Sequence, residues 1–268
     1  MSNNEIIFHH IRNSTSKIFY NGLTILVDPF LVPKGYYPGF ELSPTIEMKK
    51  TRIPIVDLPM PIEEIIKDID AVIITHTHFD HWDQYSSEFI PKHIPIFVQN
   101  ASDKKLVQSQ GFPDVRVVGI NIPFKGITIT KTGGQHGSDS FLCRPALAEG
   151  FGDCMGFVLK APGQKTVYFA GDTIWHEYVE IAINKHKPDI IVVNAAQGVY
   201  DGLEGGSIMG PEDVKKCYEF CKSAKIIPVH MDALCHAVCT TEDMKKYVEE
   251  NKLQDRVIVP KNGEKFKL

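Results

Sequence analysis

His76-Thr77-His78-Phe79-Asp80-His81 is the stretch on which the reading of this chain turns. It follows directly on Ala71-Val72-Ile73-Ile74-Thr75, an apolar, β-branched run of the kind that forms a buried strand. Four side chains able to bind a metal therefore stand within six residues at a strand end. As ordinary core they would cost roughly 2–7 kcal/mol for each polar group left unpaired. The alternative is a solvated polar turn. The H-x-H-x-D-H order favours a metal, because residues 76 and 78 can converge on one ion while 80 and 81 turn toward a neighbour. Imidazole with carboxylate and no thiolate suits zinc first, manganese second and iron third.

Working outward, Ile6–Ile11 reads as a strand, and Ser16–Tyr20 and Leu23–Val27 flank Asn21-Gly22, a hairpin signal. Residues 31–62 hold six prolines together with Tyr36, Tyr37 and Phe40, and read as a long loop on the substrate side. Further strands are expected at Ile94–Gln99, Val115–Val118, Ile127–Thr132, Gly156–Lys160, Thr166–Ala170, Asp189–Asn194, Ile226–Val229 and Arg256–Val259. Helices are expected at Pro61–Lys67, Ser102–Gln110, Trp175–Lys185, Pro211–Ser223 and Thr241–Asn251, with Pro211 in a first turn and Thr240 or Thr241 as a cap. No linker or repeat divides the chain, so residues 1–268 are expected to form one domain.

Three more candidate ligands follow strands in this scheme: His136 in Thr132-Gly133-Gly134-Gln135-His136, Asp172 in Phe169-Ala170-Gly171-Asp172-Thr173, and His230 in Ile227-Pro228-Val229-His230. Alone, each histidine has an ordinary structural reading and Asp172 reads as a helix cap. As a set, in this order, the seven positions resemble the signature of the metallo-β-lactamase superfamily across nearly the whole chain. The resemblance implies an αββα sandwich, two mixed sheets with helices on the outer faces. It also implies roles: His76, His78 and His136 on a first divalent ion, Asp80, His81 and His230 on a second, and Asp172 bridging them, with Asp80 also steering the attacking water. Two such ions acidify a shared water and clamp the attacking and leaving oxygens.

Within the superfamily, His78 stands where flavin-linked di-iron reductases resemble H-x-E-x-D. The length leaves no room for a flavodoxin domain or for the insertion of the RNA-cleaving branch. Leu26-Val27-Asp28-Pro29, Phe169–Thr173 and Val259-Pro260 are more similar to the group that includes the ascorbate-6-phosphate lactonase and other cytoplasmic metal-dependent hydrolases. The implied reaction is attack of a metal-bridging hydroxide on a small ester, lactone or amide. A phosphodiesterase with the same site is the first rival and a non-catalytic metal-binding protein the second.

His236, six residues past His230, is a candidate catalytic residue that would serve the leaving group; its plain reading is a supporting or capping histidine. Asp232 is a candidate to orient a ligand or to cap a helix, and Asp28 reads as a turn residue, with a place behind a ligand as its second reading. Tyr36, Tyr37 and Trp82 either line the pocket or pack, Arg144 is a thin candidate for an anion, and His176 is close enough to Asp172 to reach the site. Cys217 with Cys221 reads as core packing.

Composition narrows the partners. A net charge of −4 offers no basic excess for nucleic acid or an anionic membrane. The polar opening MSNNEIIFHH has no signal-peptide core, no apolar run reaches a membrane span, and six scattered cysteines read as reduced thiols. The expectation is a cytoplasmic protein with a small-molecule substrate, and a homo-oligomer is compatible with it.

Overall fold

Asn21 and Gly22 close their hairpin as the turn chemistry requires, with φ of 50° and 80°. The strands they join pair from Ser16↔Val27 to Tyr20↔Leu23. The computed structural model describes residues 5–151 and 154–268, so the first four residues of the polar opening lie outside the described part. In chain order the first sheet is built from β1 (Ile7–Arg12), β2 (Thr15–Tyr20), β3 (Leu23–Val27), β4 (Ala71–Ile73), β5 (Ile96–Val98) and β6 (Val115–Val117). The second contains β7 (Ile122–Phe124), β8 (Ile127–Thr132), β9 (Gly156–Lys160), β10 (Val167–Phe169), β11 (Ile190–Asn194) and β12 (Lys225–Val229). The closing strand β13 (Lys265–Lys267) returns to the first sheet.

The first sheet runs β13-β1-β2-β3-β4-β5-β6, antiparallel as far as β3 and parallel from β3 to β6. The second runs β12-β11-β10-β9-β8-β7, parallel among β10, β11 and β12 and antiparallel in the rest. Phe8, Ile25 and Phe97 of one sheet meet Ile129, Phe157 and Phe169 of the other in a shared apolar layer. Helices Ile62–Ile66 and Ala101–Ser109 cover the outer face of the first sheet, and Glu177–His186, Pro211–Phe220 and Thr241–Glu250 cover the second. This is the αββα sandwich, with each helix burying one apolar stripe. Its caps are local: Asn100 accepts from Asp103 N, and Thr240 forms a capping box with Asp243.

The expected strand at Arg256–Val259 shrinks to one bridge, Ile226↔Val257. Arg256 N and Val257 N turn back to the Leu253 carbonyl, which leaves only Arg256 O and Ile258 N to pair with Ile226, while the Arg256 guanidinium bonds the carbonyls of Tyr218 and Cys221 at the end of helix Pro211–Phe220. Strand β7 was not expected; Pro123 sits in it because an edge strand needs no inward N–H there. Loop 31–62 contains a short helix, Ile46–Lys50, capped by Thr45. His176 does not reach the site: it caps helix Glu177–His186, accepting from Tyr178 N.

The ends of β4, β8, β10 and β12, two sheets' worth of strands, bring their following residues to one rim. At β10 the exit needs glycine: Gly171 has φ of 71°, and a Cβ there would lie 2.4 Å from the Met155 carbonyl oxygen. That close approach turns Asp172 inward.

Candidate metal centre

All seven residues singled out from the sequence meet at this rim. His76 Nε2 lies 2.9 Å from His78 Nδ1, and His136 Nε2 lies 3.3 Å from the same atom. His81 Nε2 is 3.1 Å from His230 Nε2, and Asp80 Oδ2 is 3.2 Å from His230 Nε2 and 3.5 Å from His81 Nε2. Two triads result, His76/His78/His136 and Asp80/His81/His230, each with its ligand atoms within 4.8 Å of one another. Asp172 stands between them. Its Oδ2 is 3.2 Å from His81 Nε2, 3.6 Å from His136 Nε2 and 3.9 Å from His76 Nε2, while Oδ1 is 3.6 Å from His230 Nε2.

Outer contacts decide the tautomers. His136 Nδ1 faces the Ser207 carbonyl at 2.9 Å and His78 Nε2 faces the Gly150 carbonyl at 3.0 Å. A carbonyl only accepts, so both nitrogens must donate. The neutral rings then turn bare lone pairs, His136 Nε2 and His78 Nδ1, toward each other. His81 Nδ1 likewise donates to Asp28 Oδ2 at 2.9 Å, which leaves His81 Nε2 to face His230 and two carboxylates. Lone pairs gathered this closely repel unless a cation or proton lies among them. The donor set, five imidazoles and two carboxylates, fits divalent ions and reproduces the pattern of histidines oriented from behind by an acceptor.

Charge in the metal-free protein divides along the same line. Burial drives His76 well below its ordinary pKa, reinforced by His81, and burial brings His136 down to about 4. Burial also opposes charge on His81 and His230, but nearby carboxylates, Asp172 first, outweigh it and raise both. The reverse holds for Asp80 and Asp172: burial disfavours their ionisation, yet His81 heads the neighbours that keep them ionised.

The supporting residues were mostly missed in the sequence. Asp28 is a turn residue with φ of 45°, as read, but its carboxylate also takes Thr75 N at 2.7 Å and Thr75 Oγ1 at 2.8 Å besides His81. Asn194 Nδ2 donates to Asp172 Oδ1 at 2.6 Å. Asp232 turns away from the centre and binds the backbone N–H and hydroxyl of Thr241, bracing the last long helix. Tyr37 donates to Asp83, Trp82 Nε1 to Gln110 Oε1, and Arg144 to the Gly202 carbonyl, so these three pack or tie loops.

A cavity of about 370 Å³ opens on the centre. Its floor includes His78, Asp80, His136, Asp172 and His230, and its walls are largely apolar: Phe40, Leu147, Phe151, Ile208 and Leu234. Phe40 comes from loop 31–62 and Leu147 and Phe151 from helix Pro145–Phe151. His236 stands in the wall with ring centroids 5.1 Å from both Phe40 and Tyr200, and burial lowers its pKa to about 4.

With the centre in view, comparison with known proteins is decisive. Residues 24–231 match the model of the β-lactamase superfamily domain. The chain is 38% identical to the UPF0173 protein YddR of Bacillus subtilis over 256 residues, 96% of this chain and 97% of that one. This chain belongs to the UPF0173 group of the β-lactamase superfamily. Other UPF0173 relatives, such as the 26% identical protein of Pyrococcus abyssi that matches 76% of this chain and 84% of its own length, are named metal-dependent hydrolases. The UPF0173 chain superposes on a possible metal-dependent hydrolase from Veillonella parvula with a TM-score of 0.95, at 41% identity and 99% coverage of both chains. It superposes on an isothiocyanate hydrolase from Delia radicum gut bacteria with a TM-score of 0.92, at 35% identity, covering 98% of this chain and 100% of the other. The activity class is therefore that of a metal-dependent hydrolase. Among the described residues no helix is long and apolar enough to cross a membrane.

Proposed function

We propose that this UPF0173 protein is a dinuclear hydrolase that directs water to the electrophilic carbon of a small, uncharged, largely apolar substrate. Esters, lactones and amides fall in that class. So does an isothiocyanate, the substrate in the name of the 35% identical relative. The observation that carries the reading is the cavity wall: no lysine or arginine side chain lines it among the described residues, and its carboxylates lie in the floor. A phosphodiester would have only the ions themselves to meet its charge, with no cationic side chain to hold its remaining oxygens or its polar flanks against the apolar wall.

His76, His78 and His136 would hold one ion, Asp80, His81 and His230 the other, with Asp172 shared, zinc being the first choice, manganese the second and iron the third. Bound there, divalent ions supply an acidified water and polarise the electrophile. The protein's own part is orientation. Asp80, kept ionised by His81 and His230 despite burial, accepts a hydrogen bond from the attacking water and fixes its direction. His236, neutral because burial lowers its pKa, offers one N–H to the departing or developing heteroatom. The apolar walls exclude competing water. A small-molecule substrate and a cytoplasmic setting complete the reading; among the described residues no disulfide forms.

The test is a paired panel on zinc-loaded protein: benzyl isothiocyanate, phenyl acetate and a γ-lactone against bis(4-nitrophenyl) phosphate. At least one neutral carbon electrophile should exceed the phosphodiester in kcat/KM by roughly 100-fold, about 2.7 kcal/mol of transition-state preference. A preference for the phosphodiester would overturn the reading.

A further inference from the structure

Asn13 lies in the turn between β1 and β2, far in sequence from every ligand, and is fully buried. Its amide Nδ2 is 3.1 Å from the Asp80 carbonyl oxygen and 3.3 Å from Asp80 Oδ2. Both atoms accept, so the amide must present its N–H side to them. Its own carbonyl oxygen accepts from His230 N at 2.8 Å. One residue thus grips two members of the second triad, Asp80 through side chain and backbone and His230 through the backbone.

Two features show what this arrangement costs. Asn13 Oδ1 is buried with no partner among the described residues, so the amide gives up an acceptor bond to keep its donor side on Asp80. Asn13 has φ of 58° and His230 φ of 79°, a left-handed region uncommon for residues other than glycine, though asparagine and histidine enter it more often than most. The Asn13 carbonyl supplies a hold on His230. Ser14 adds its hydroxyl to the Asp80 carbonyl at 3.3 Å.

We propose that Asn13 is a positioning residue for the second half of the metal centre: its amide sets the Asp80 carboxylate and its carbonyl sets His230, so that the second ion is bound tightly and the first is independent of it. This rests on the dinuclear reading above. Asn13→Gly keeps the left-handed backbone and removes the amide, while Asn13→Ala removes the amide and adds backbone strain.

Metal-free wild type and both variants are titrated with zinc by calorimetry, and with cobalt by its visible absorption. In both variants the second equivalent should weaken by roughly 10–100-fold and its cobalt band should shift, with the first equivalent unchanged. The unchanged first equivalent also reports that the variant is folded. If Asn13→Gly is too unstable to titrate, isosteric Asn13→Asp preserves volume and turn preference. It places carboxylate against carboxylate and should weaken the second equivalent alone. Wild-type affinity for both equivalents in Asn13→Gly, or equal weakening of the two, would overturn the proposal. Loss confined to Asn13→Ala would assign the effect to backbone conformation and overturn it as well. A wild-type protein binding a single equivalent would overturn the dinuclear reading itself and this proposal with it.

Discussion

The two triads differ in composition, three imidazoles against two imidazoles and a carboxylate, and they are held by different parts of the molecule. Asp80, His81 and His230 are fixed by Asn13 and Asp28, fully or almost fully buried side chains of the β1–β3 region, whose strands pair over long registers. His78 is fixed by the backbone carbonyl of Gly150 in the short helix Pro145–Phe151 and His136 by that of Ser207 in the connection after β11, and both residues also line the cavity. A sheet-anchored triad is set once the core has formed. A loop-anchored triad shares its supports with the substrate wall, so changes in that wall reach it.

The largest effect belongs to the residue common to both halves. Asp172→Ala should remove both metal equivalents and lower kcat/KM by about 10³-fold or more, since several kcal/mol of ion-derived stabilisation goes with them. His78→Ala, by contrast, should lose the first equivalent and retain the second. Elemental analysis beside kinetics checks both. Full metal content in Asp172→Ala would break the idea of a shared ligand.

A pH series sharpens the comparison at intermediate size. In the metal-free protein, carboxylates raise His81 and His230, so these rings carry protons that a metal must displace. His76 and His136 are lowered by burial and stay neutral down to about pH 4 for His136. Lowering pH from 8 to 6 should therefore weaken the second equivalent by up to about tenfold per pH unit for each proton displaced, with a smaller change in the first. Zinc calorimetry across that range measures it; parallel slopes would refute the asymmetry.

The smallest effect concerns the wall. Leu147→Ala removes apolar contact area from the cavity and should raise KM about five- to thirtyfold, worth about 1–2 kcal/mol, with kcat little changed. Metal content should stay at the wild-type value. If metal were lost as well, helix Pro145–Phe151 would be supporting the first triad through more than the Gly150 carbonyl.

The approach of the seven candidate ligands could be read in the sequence because the four short segments that carry them each follow a strand, and strands of one sandwich end at common rims. His236 was legible only as a choice between roles; its aromatic surroundings come from Phe40 and Tyr200, dozens of residues away or more. Arg256–Val259 reads as a strand because its apolar residues are adjacent, while the turn that ties Arg256 N and Val257 N to the Leu253 carbonyl cuts the pairing to one bridge. The helix Pro145–Phe151 has weak periodicity and was missed, although it supplies cavity wall.

Local order thus determined most strands, the hairpin at Asn21-Gly22 and the order of the seven candidate ligands, and the resemblance of that order to a known superfamily carried the sandwich class. Only the tertiary structure decided which residues hold them. Asn13 looks like any turn residue in the sequence, and Asp28 offers a supporting role only as a second reading, since the signal for a left-handed turn is the same whether the side chain faces water or a histidine. The largely apolar wall of the cavity was equally hidden, because it is assembled from segments that meet only when both sheets have closed. A motif fixes what a residue can donate; the fold fixes what stands opposite to receive it.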